Sequence, residues 1–312
     1  MEYEFGCKAS NAKSPITGSK LRKEGYGLID EKNPTTGETY PIYKSEDGKY
    51  IYKTYLDIED YDLEKTQNNN ILSKLKKYDG NHIREYFTFY EEEKYGDLDP
   101  TNLKLGDKNI INEYLSFPAG KITLKYYGKI DVKHFKNLII GLTILTINDI
   151  WLTDIKPHNI LIFEKDEEIK MKFCDLSSHF IPDLIKNNNL LNKSMVTKAY
   201  FPKQGWKAGG AIDIVDWITQ RIVVVSEDKP YNINLLLYYH LFALIVTIEN
   251  SILSKGNENF LKDIRSIITR ENLIRKYKLR RNKNATIFNL INAWNENFKN
   301  NKITKEDYLP QI

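Results

Sequence analysis

A chain of 312 residues is long enough to bury a sizeable core and to form one large two-part unit or two ordinary domains. Its net charge of +4, from 46 basic and 42 acidic side chains, is too balanced to indicate a nucleic-acid-binding protein by itself. The two cysteines, Cys7 and Cys174, are far apart and lack metal-ligand spacing, so neither a disulfide framework nor a zinc site is expected.

The sequence favours a cytoplasmic protein. The first ten residues carry no apolar core of the kind that a signal peptide needs. The longest apolar run covers 235–248 and is shorter than the roughly 20 residues that a membrane span requires, so no membrane span is expected. The scarcity of cysteine fits a reducing intracellular compartment.

The first 115 residues have mainly the pattern of strands and turns. Gly25 and Gly27 mark turns near the start. The rest of this part predicts, in chain order, a β-hairpin, a helix and two further strands, at 40–56, 57–77, 82–90 and 109–115.

After about Pro118 the pattern changes to helices. Four segments are predicted to be helical, two of them apolar nearly all round and two amphipathic, at 135–147, 233–248, 259–278 and 285–295. Two short strands at 160–163 and 171–174 are joined by a charged turn. The predicted fold class is therefore α+β, with a small strand-rich part followed by a larger helical part.

The most informative stretch is TDIKPHNILIF at 153–163, followed by KFCDLSS at 172–178. Phosphoryl transfer to a hydroxyl needs a carboxylate near the acceptor proton, cations that neutralise the triphosphate, and oxygen ligands that hold those cations. Because a loop leads here into a short hairpin, the polar side chains at its two ends are expected to face one cleft. The chain supplies the required set with Asp154, Lys156, Asn159 and Asp175.

These segments resemble the protein-kinase family, whose catalytic loop has the pattern H-R-D-x-K-P-x-N and whose metal-binding aspartate follows about twenty residues later. Asp154 and Asn159 have the spacing of that loop, and Asp175 lies 21 residues after Asp154. The Lys156-Pro157 pair is similar to the form of the loop found in serine/threonine kinases.

Two earlier segments strengthen the resemblance. The sequence YIYK at 50–53 is similar to the V-A-I-K strand of the family, which implies that Lys53 reaches the α- and β-phosphates of ATP. The sequence NEYL at 112–115 resembles the hinge between lobes, which implies that the backbone from Glu113 to Leu115 holds the adenine.

The resemblance implies one catalytic domain with a two-lobed protein-kinase-like fold, with an N-lobe at 1–115 and a C-lobe at 116–312. It also implies an enzyme that uses ATP and Mg²⁺ and transfers the γ-phosphoryl group to serine or threonine hydroxyls of a protein substrate. The order of elements, from hairpin lysine through helix, hinge and buried helix to the catalytic loop, agrees with this.

The implied roles belong to individual residues of the loop. Asp154 would be the catalytic base or would orient the acceptor hydroxyl, and Lys156 would steady the transferred phosphate. Asn159 and Asp175 would coordinate Mg²⁺. The segment from Asp175 to about residue 206 would be an activation segment, with possible phosphorylation sites at Ser177, Ser178, Ser194, Thr197 and Tyr200.

Several family features are replaced. Gly25-Tyr26-Gly27 retains at most the first half of the glycine-rich loop, and Leu152-Thr153 stands where the family has His-Arg. Leu176-Ser177 replaces the Phe-Gly that follows the metal aspartate. In the family, a helix glutamate pairs with the strand lysine, and the family pattern places Asn68 at that position. Glu64, one turn earlier, is the substitute.

These departures leave alternatives open. One is a pseudokinase that serves as a binding or scaffold module, and another is a small-molecule kinase of the aminoglycoside or choline type, which Lys156-Pro157 disfavours. A basic cluster at 270–283 permits binding to nucleic acid or an anionic surface, although a solvated helix end is the simpler interpretation. The divergence resembles that of kinases from large DNA viruses or intracellular bacteria, and the oligomeric state is left open.

Overall fold

The computed structural model describes fourteen stretches of the chain: residues 42–44, 48–55, 57–95, 104–105, 108–109, 111, 113–166, 168–181, 197–200, 215–216, 221–222, 233–253, 256–276 and 283–310. Gly25 and Gly27 lie outside these residues, as does Ser194. Both helices and strands are present, and the strands form small antiparallel sheets.

The bounds of the strands and helices are as follows. The strands are Ile42–Lys44 (β1), Tyr50–Thr54 (β2), Glu92–Tyr95 (β3), Lys104–Leu105 (β4), Lys108–Asn109 (β5), Glu113–Pro118 (β6), Ile122–Thr123 (β7), Trp151–Leu152 (β8), Ile160–Lys165 (β9), Glu168–Phe173 (β10), His179–Phe180 (β11), Val215–Asp216 (β12) and Arg221–Ile222 (β13). The helices are Ile58–Lys74 (α1), Gly80–Arg84 (α2), Leu124–Tyr127 (α3), Lys136–Ile147 (α4), Ile233–Ser251 (α5), Glu258–Lys276 (α6), Lys283–Asn297 (α7) and Lys305–Tyr308 (α8).

The first sheet contains four antiparallel strands in the order β1–β2–β6–β3. Strands β1 and β2 are the arms of the hairpin predicted at 40–56, so that prediction is confirmed. In the pairing of β2 with β6, Lys53 lies opposite Leu115. The predicted lobe boundary at 115/116 falls within β6 and stays a prediction.

Helix α1 confirms the helix predicted at 57–77 and lies against β6. It begins at Asp57, whose carboxylate accepts a hydrogen bond of 2.8 Å from the backbone N–H of Asp60, as an N-cap side chain does. Its buried face carries polar side chains as well as apolar ones, including Glu64 and Asn68. A buried carboxylate requires a cationic or hydrogen-bonding partner, and for Glu64 strand β2 supplies one.

The strand predicted at 82–90 is wrong, since none of the strands lies in this range. Helix α2 occupies Gly80–Arg84, because Asp79 caps it by accepting hydrogen bonds from the backbone N–H groups of Asn81 and His82. Only the residues after α2 pair with a strand, since Phe87 forms a parallel bridge with Phe173 of β10. The loop after α1 is thereby attached to the strand that leads into Asp175.

Strands β9 and β10 form the hairpin predicted at 160–163 and 171–174, and β7 completes a three-stranded sheet in the order β10–β9–β7. Helix α4, buried throughout its middle, packs on β10. A Cβ atom at Gly141 would lie 3.1 Å from the Phe173 ring and 3.2 Å from Tyr86 Cβ, so glycine is what lets the helix approach this closely. The close packing of α4 on β10 therefore holds the hairpin in a fixed position.

Helices α5, α6 and α7 confirm the three predicted C-terminal helices, and together with α4 they enclose the main apolar core. Trp294 and Phe260 are fully buried in that core with their rings edge to face. Among the described helices, none combines the length and apolar character that crossing a bilayer would need. The side chains of the basic cluster at 270–283 lie outside those that the structure describes.

The last described helix, α8, is fastened to the loop that follows α1. Thr304 and Asp307 form a capping box at its start. The Tyr78 hydroxyl donates a hydrogen bond of 3.1 Å to the carbonyl of Tyr308, and His82 Nε2 donates one of 3.1 Å to the carbonyl of Asp307. The end of the chain therefore supports the connection between α1 and the hairpin.

Candidate active site

Lys53 and Glu64 form an ion pair between β2 and α1, with 2.5 Å between Lys53 Nζ and Glu64 Oε2. The Tyr55 hydroxyl donates a further hydrogen bond of 3.0 Å to the same oxygen. Burial raises the pKa of Glu64 above its ordinary value, and the neighbouring Lys53 ammonium opposes that rise. The pair holds the lysine ammonium in place at the edge of a cleft, where 19% of its side chain is still exposed.

The choice between Glu64 and Asn68 as the partner of Lys53 depends on which residue of α1 faces β2. The structure places Glu64 there, whereas the Asn68 side-chain amide donates a 3.0 Å hydrogen bond to the Glu64 carbonyl within the helix. Glu64 is thus the carboxylate that contacts Lys53, as the sequence analysis expected of the substitute residue.

The Lys53–Glu64 pair lines a cleft whose other wall comes from the β9–β10 hairpin. Its lining is mostly apolar, with three charged side chains, and consists of Ile51, Lys53, Glu64, Thr88, Phe117, Pro118, Leu161, Cys174 and Asp175. An apolar cleft with a few charged groups suits a flat base attached to a polyanion. The part enclosed by these residues holds about 30 Å³, which is room for one or two water molecules, so a nucleotide base needs the walls to separate.

The adenine contact at Glu113 and Leu115 stays a prediction. Glu113, the first residue of β6, pairs with Tyr95, and Leu115 pairs with Lys53 and Glu93. Neither is among the residues that line the described cleft. The residues of β6 that line the cleft are instead Phe117 and Pro118, at its far end.

The catalytic loop brings three of the predicted residues together. Lys156 Nζ lies 2.8 Å from Asp154 Oδ2. The Asn159 side-chain amide donates to the Asp154 carbonyl at 3.0 Å and to Asp154 Oδ2 at 3.1 Å. Asp154, Lys156 and Asn159 are only 7%, 5% and 5% exposed. Burial strengthens these charge-assisted hydrogen bonds, because the local dielectric constant is lower than that of water.

Thr197 completes this cluster. Its hydroxyl donates a hydrogen bond to Asp154 Oδ1, and Lys156 Nζ donates one of 3.2 Å to the same hydroxyl oxygen. From sequence alone, Thr197 is expected only as a phosphorylation site of the activation segment. No local pattern revealed this contact, because it joins positions 43 residues apart across a segment without regular periodicity.

Asp175 lies at the end of β10 in the left-handed region, with φ of 52°. This conformation costs about 1–2 kcal/mol for most residues, and aspartate is among the few side chains that tolerate it. The Ser177 hydroxyl donates a 2.7 Å hydrogen bond to Asp175 Oδ1. The preceding N–H, of Cys174, donates a 3.0 Å hydrogen bond to the Asn159 carbonyl, which joins the strand end to the catalytic loop.

The donor atoms present fit Mg²⁺, a hard cation that takes oxygen ligands. Asn159 uses its side-chain nitrogen toward Asp154, so its Oδ1 is the atom it can offer to a cation. Asp175 accepts from Ser177 through one oxygen and can offer the other. In the described ranges no group of three or more His, Cys, Asp or Glu side chains converges on a metal-sized site.

Comparison with known proteins finds a likeness at the level of structure. No protein-family model matches the sequence, and no curated protein matches it. The chain is similar to the crystal structure of a Toxoplasma gondii specific rhoptry antigen kinase domain, with a TM-score of 0.48 and 11% identity over 84% of this chain and 79% of that one.

Proposed function

We propose that the protein is a kinase that binds ATP with Mg²⁺ in the cleft between β2 and the β9–β10 hairpin and phosphorylates serine or threonine hydroxyls of protein substrates. The observation that carries the proposal is the buried cluster in which Lys156, Asn159 and Thr197 hold the Asp154 carboxylate. That cluster is joined through the Asn159 carbonyl to the strand end at Asp175.

Lys53 is the group proposed to contact the triphosphate. Its ammonium is held by Glu64, which keeps it in one position before a ligand arrives. Asp175 lines the same cleft, so a cation and an anion lie on its two walls. When bound, Mg²⁺ neutralises charge on the β- and γ-phosphates, and Asn159 Oδ1 and the Asp175 carboxylate are the oxygens that would hold it.

Asp154 is the group proposed to orient the acceptor hydroxyl. In the structure it already accepts a hydrogen bond from the aliphatic hydroxyl of Thr197, with the Lys156 ammonium beside both. This contact supports an acceptor of the same chemical type, because a substrate serine or threonine hydroxyl can meet the carboxylate in the same way. Lys156 would then face the developing negative charge of the transferred group.

A second candidate function is a non-catalytic binding module. Both oxygens of Asp154 are engaged by the protein's own side chains, so an acceptor hydroxyl must displace or share the bond from Thr197. The narrow enclosed part of the cleft at Lys53 and Asp175 favours the same alternative. A protein that remained in this arrangement would bind partners without transferring phosphate.

The two functions are separated by measuring both nucleotide binding and phosphoryl transfer. Thermal unfolding with ATP, in the presence and absence of Mg²⁺, reports binding, because a ligand of the folded state must raise the melting temperature. Transfer of labelled phosphate from ATP to a generic protein acceptor reports catalysis. The matched variants are Asp154→Asn for catalysis and Asp175→Asn for the metal.

For a kinase, ATP stabilises the wild-type protein only when Mg²⁺ is present, and Asp175→Asn loses that dependence. Asp154→Asn keeps the thermal shift and lowers transfer by about 10² or more. If ATP raises the melting temperature but wild type and Asp154→Asn give the same background transfer, the protein is a binding module. The absence of both an ATP-induced shift and transfer would overturn the kinase and leave a module that binds partners without nucleotide.

A further inference from the structure

A second cavity lies beside the catalytic loop, between α3 and the end of α5. It has a volume of about 380 Å³ and is lined by Leu124, Lys125, Gly128, Lys129, Pro157, Tyr200, Asn250 and Ser251. Pro157 directly follows the candidate catalytic lysine, and the backbone N–H of Tyr200 donates a 3.0 Å hydrogen bond to the Thr197 carbonyl. One helical turn of the chain therefore joins Tyr200, which lines the cavity, to Thr197, whose hydroxyl contacts Asp154.

The wall formed by the turn after α3 is fixed in place. Gly128 has φ of 95°, a conformation that favours glycine and turns the chain sharply after the helix. Beyond it, the N–H of Ile130 donates a 3.0 Å hydrogen bond to the Ser251 carbonyl, and the N–H of Leu253 donates one of 3.1 Å to the Ile130 carbonyl. The cavity is thus part of the folded scaffold at the end of α5.

The cavity carries positive charge. The described residues that line it include two exposed lysines, Lys125 and Lys129, and no carboxylate. Among the described residues neither lysine pairs with an acidic side chain; Lys129 donates to the carbonyl of Asn250. The nearby carboxylates have other partners, since Asp131 accepts from the backbone N–H of Lys133 and Glu249 pairs with Arg265.

The rest of the lining suits a short peptide segment. The Tyr200 hydroxyl and the Asn250 side chain are polar groups of residues that line the cavity. Leu253, 50% exposed, follows the end of α5 and offers apolar surface nearby. An extended peptide advances about 3.3 Å per residue, so the cavity lies within a few residues of an acceptor hydroxyl at Asp154.

We propose that this cavity binds an anionic side chain, a carboxylate or a phosphate, that lies a few residues from the acceptor in the protein substrate. The inference rests on the proposed kinase function and names its substrate class: serine- or threonine-containing segments with an acidic neighbour. Lys125 and Lys129 supply the charge that distinguishes such a segment from a neutral or basic one.

The test uses a set of serine peptides with alanine at all other positions, in which each of the four positions on either side of the serine is replaced in turn by Glu, Gln, Lys or phosphoserine. The Gln peptides match Glu in size, and the phosphoserine peptides show which anion is preferred. The protein is compared with the double variant Lys125→Glu/Lys129→Glu. A second double variant, Lys262→Glu/Lys299→Glu, makes the same charge change at two exposed lysines that do not line the cavity.

At one or two positions, Glu or phosphoserine should raise kcat/KM about three- to tenfold over Gln, as expected for one or two partly exposed ion pairs. The cavity variant should abolish or invert that preference with the KM for ATP unchanged, and the control variant should retain it. Equal kcat/KM for Glu and Gln peptides at every position, or an acidic preference that persists in the cavity variant, would overturn the proposal.

Peptide binding keeps this inference separable from the proposed function. If no peptide is phosphorylated by any variant, kinase activity fails, and fluorescence anisotropy of labelled peptides with the Asp154→Asn protein then decides on the cavity. Tighter binding of Glu than of Gln peptides, lost in Lys125→Glu/Lys129→Glu, supports an anion-binding cavity in a non-catalytic module. Equal binding of the two peptides rejects it.

Discussion

The Thr197 hydroxyl donates a hydrogen bond to Asp154 Oδ1 and thereby ties the segment after β11 to the catalytic loop. Lys156 contacts both residues, and Asn159 contacts the other oxygen of Asp154. Three side chains from two separate parts of the chain therefore set the orientation of one carboxylate. The arrangement makes Thr197 a positioning residue.

Replacing Thr197 by valine, which has nearly the same shape but no hydroxyl, is expected to lower kcat about ten- to a hundredfold, because a hydrogen bond to a charged group is worth about 1.5–3 kcal/mol. Thr197→Ser retains the hydroxyl and should restore most of the activity. The measurement is steady-state phosphoryl transfer, with KM for ATP and melting temperature followed in parallel. Wild-type activity in Thr197→Val, or equal losses in the serine and valine variants, would show that the hydroxyl is not what sets the activity.

Replacing Lys53 by methionine is expected to reduce phosphoryl transfer by about 10² or more, because the ammonium in contact with the triphosphate is removed. Lys65→Met is the matched control, since Lys65 lies on α1, pairs with Glu93 at 2.7 Å, and is not among the residues that line the described cleft. It should leave transfer unchanged. If Lys53→Met retains wild-type activity, the cleft does not contact ATP through this residue.

Asp175 and Asp166 allow backbone strain to be separated from metal binding, because both have left-handed φ values, 52° and 51°. Glycine at either position should raise the free energy of unfolding by up to about 1 kcal/mol, since it adopts this conformation without strain. Only Asp175→Gly should abolish the Mg²⁺ dependence of ATP binding. Chemical denaturation and thermal shift measure the two effects, and a loss of that dependence in Asp166→Gly would contradict the assignment.

Because His240 is buried, the folded protein is expected to lose stability in mild acid. Its ring packs against Trp151 with 5.6 Å between centroids, and within the described part of the chain neither ring nitrogen has a hydrogen-bond partner. Burial lowers the pKa of His240 to about 3 and that of His179 to about 4. In the unfolded chain these side chains titrate near pH 6.5, so below that pH the unfolded state binds more protons and folding stability falls.

The expected slope is about 1.4 kcal/mol per pH unit for each buried histidine, acting as pH falls from about 6.5 toward the folded-state pKa, with full stability retained above about 6.5. His240→Leu removes one of the two contributions and fills the same apolar space. Urea denaturation at about pH 7.5 and about pH 5 should show a loss smaller by about 1–2 kcal/mol in the variant. Identical losses in the two proteins would mean that His240 is protonated in the folded state.

The catalytic loop was predictable from the sequence because its geometry is local. Five positions separate Asp154 from Asn159, and a short hairpin brings Asp175 back beside them, so spacing alone places these side chains together. The apolar helices were predictable for the same reason, since α4 and α5 are buried on nearly every side.

The features that sequence reasoning missed depend on long-range register or caps. The position of β6 against β2 places Phe117 and Pro118 in the lining of the described cleft. The N-cap at Asp79 stabilises helix α2 in a segment whose sequence has the pattern of a strand. The contact of Thr197 with Asp154 crosses a segment whose sequence has no periodicity.

The hydrogen bond from the Cys174 N–H to the Asn159 carbonyl closes the hairpin onto the loop without using any side chain. A hydrogen bond between backbone atoms is retained in most substitutions, because every residue except proline has the backbone N–H that it needs. The reactive groups can therefore keep their mutual spacing while the surrounding sequence drifts. This gives a physical reason why a short motif stays recognisable in a chain that no family model matches.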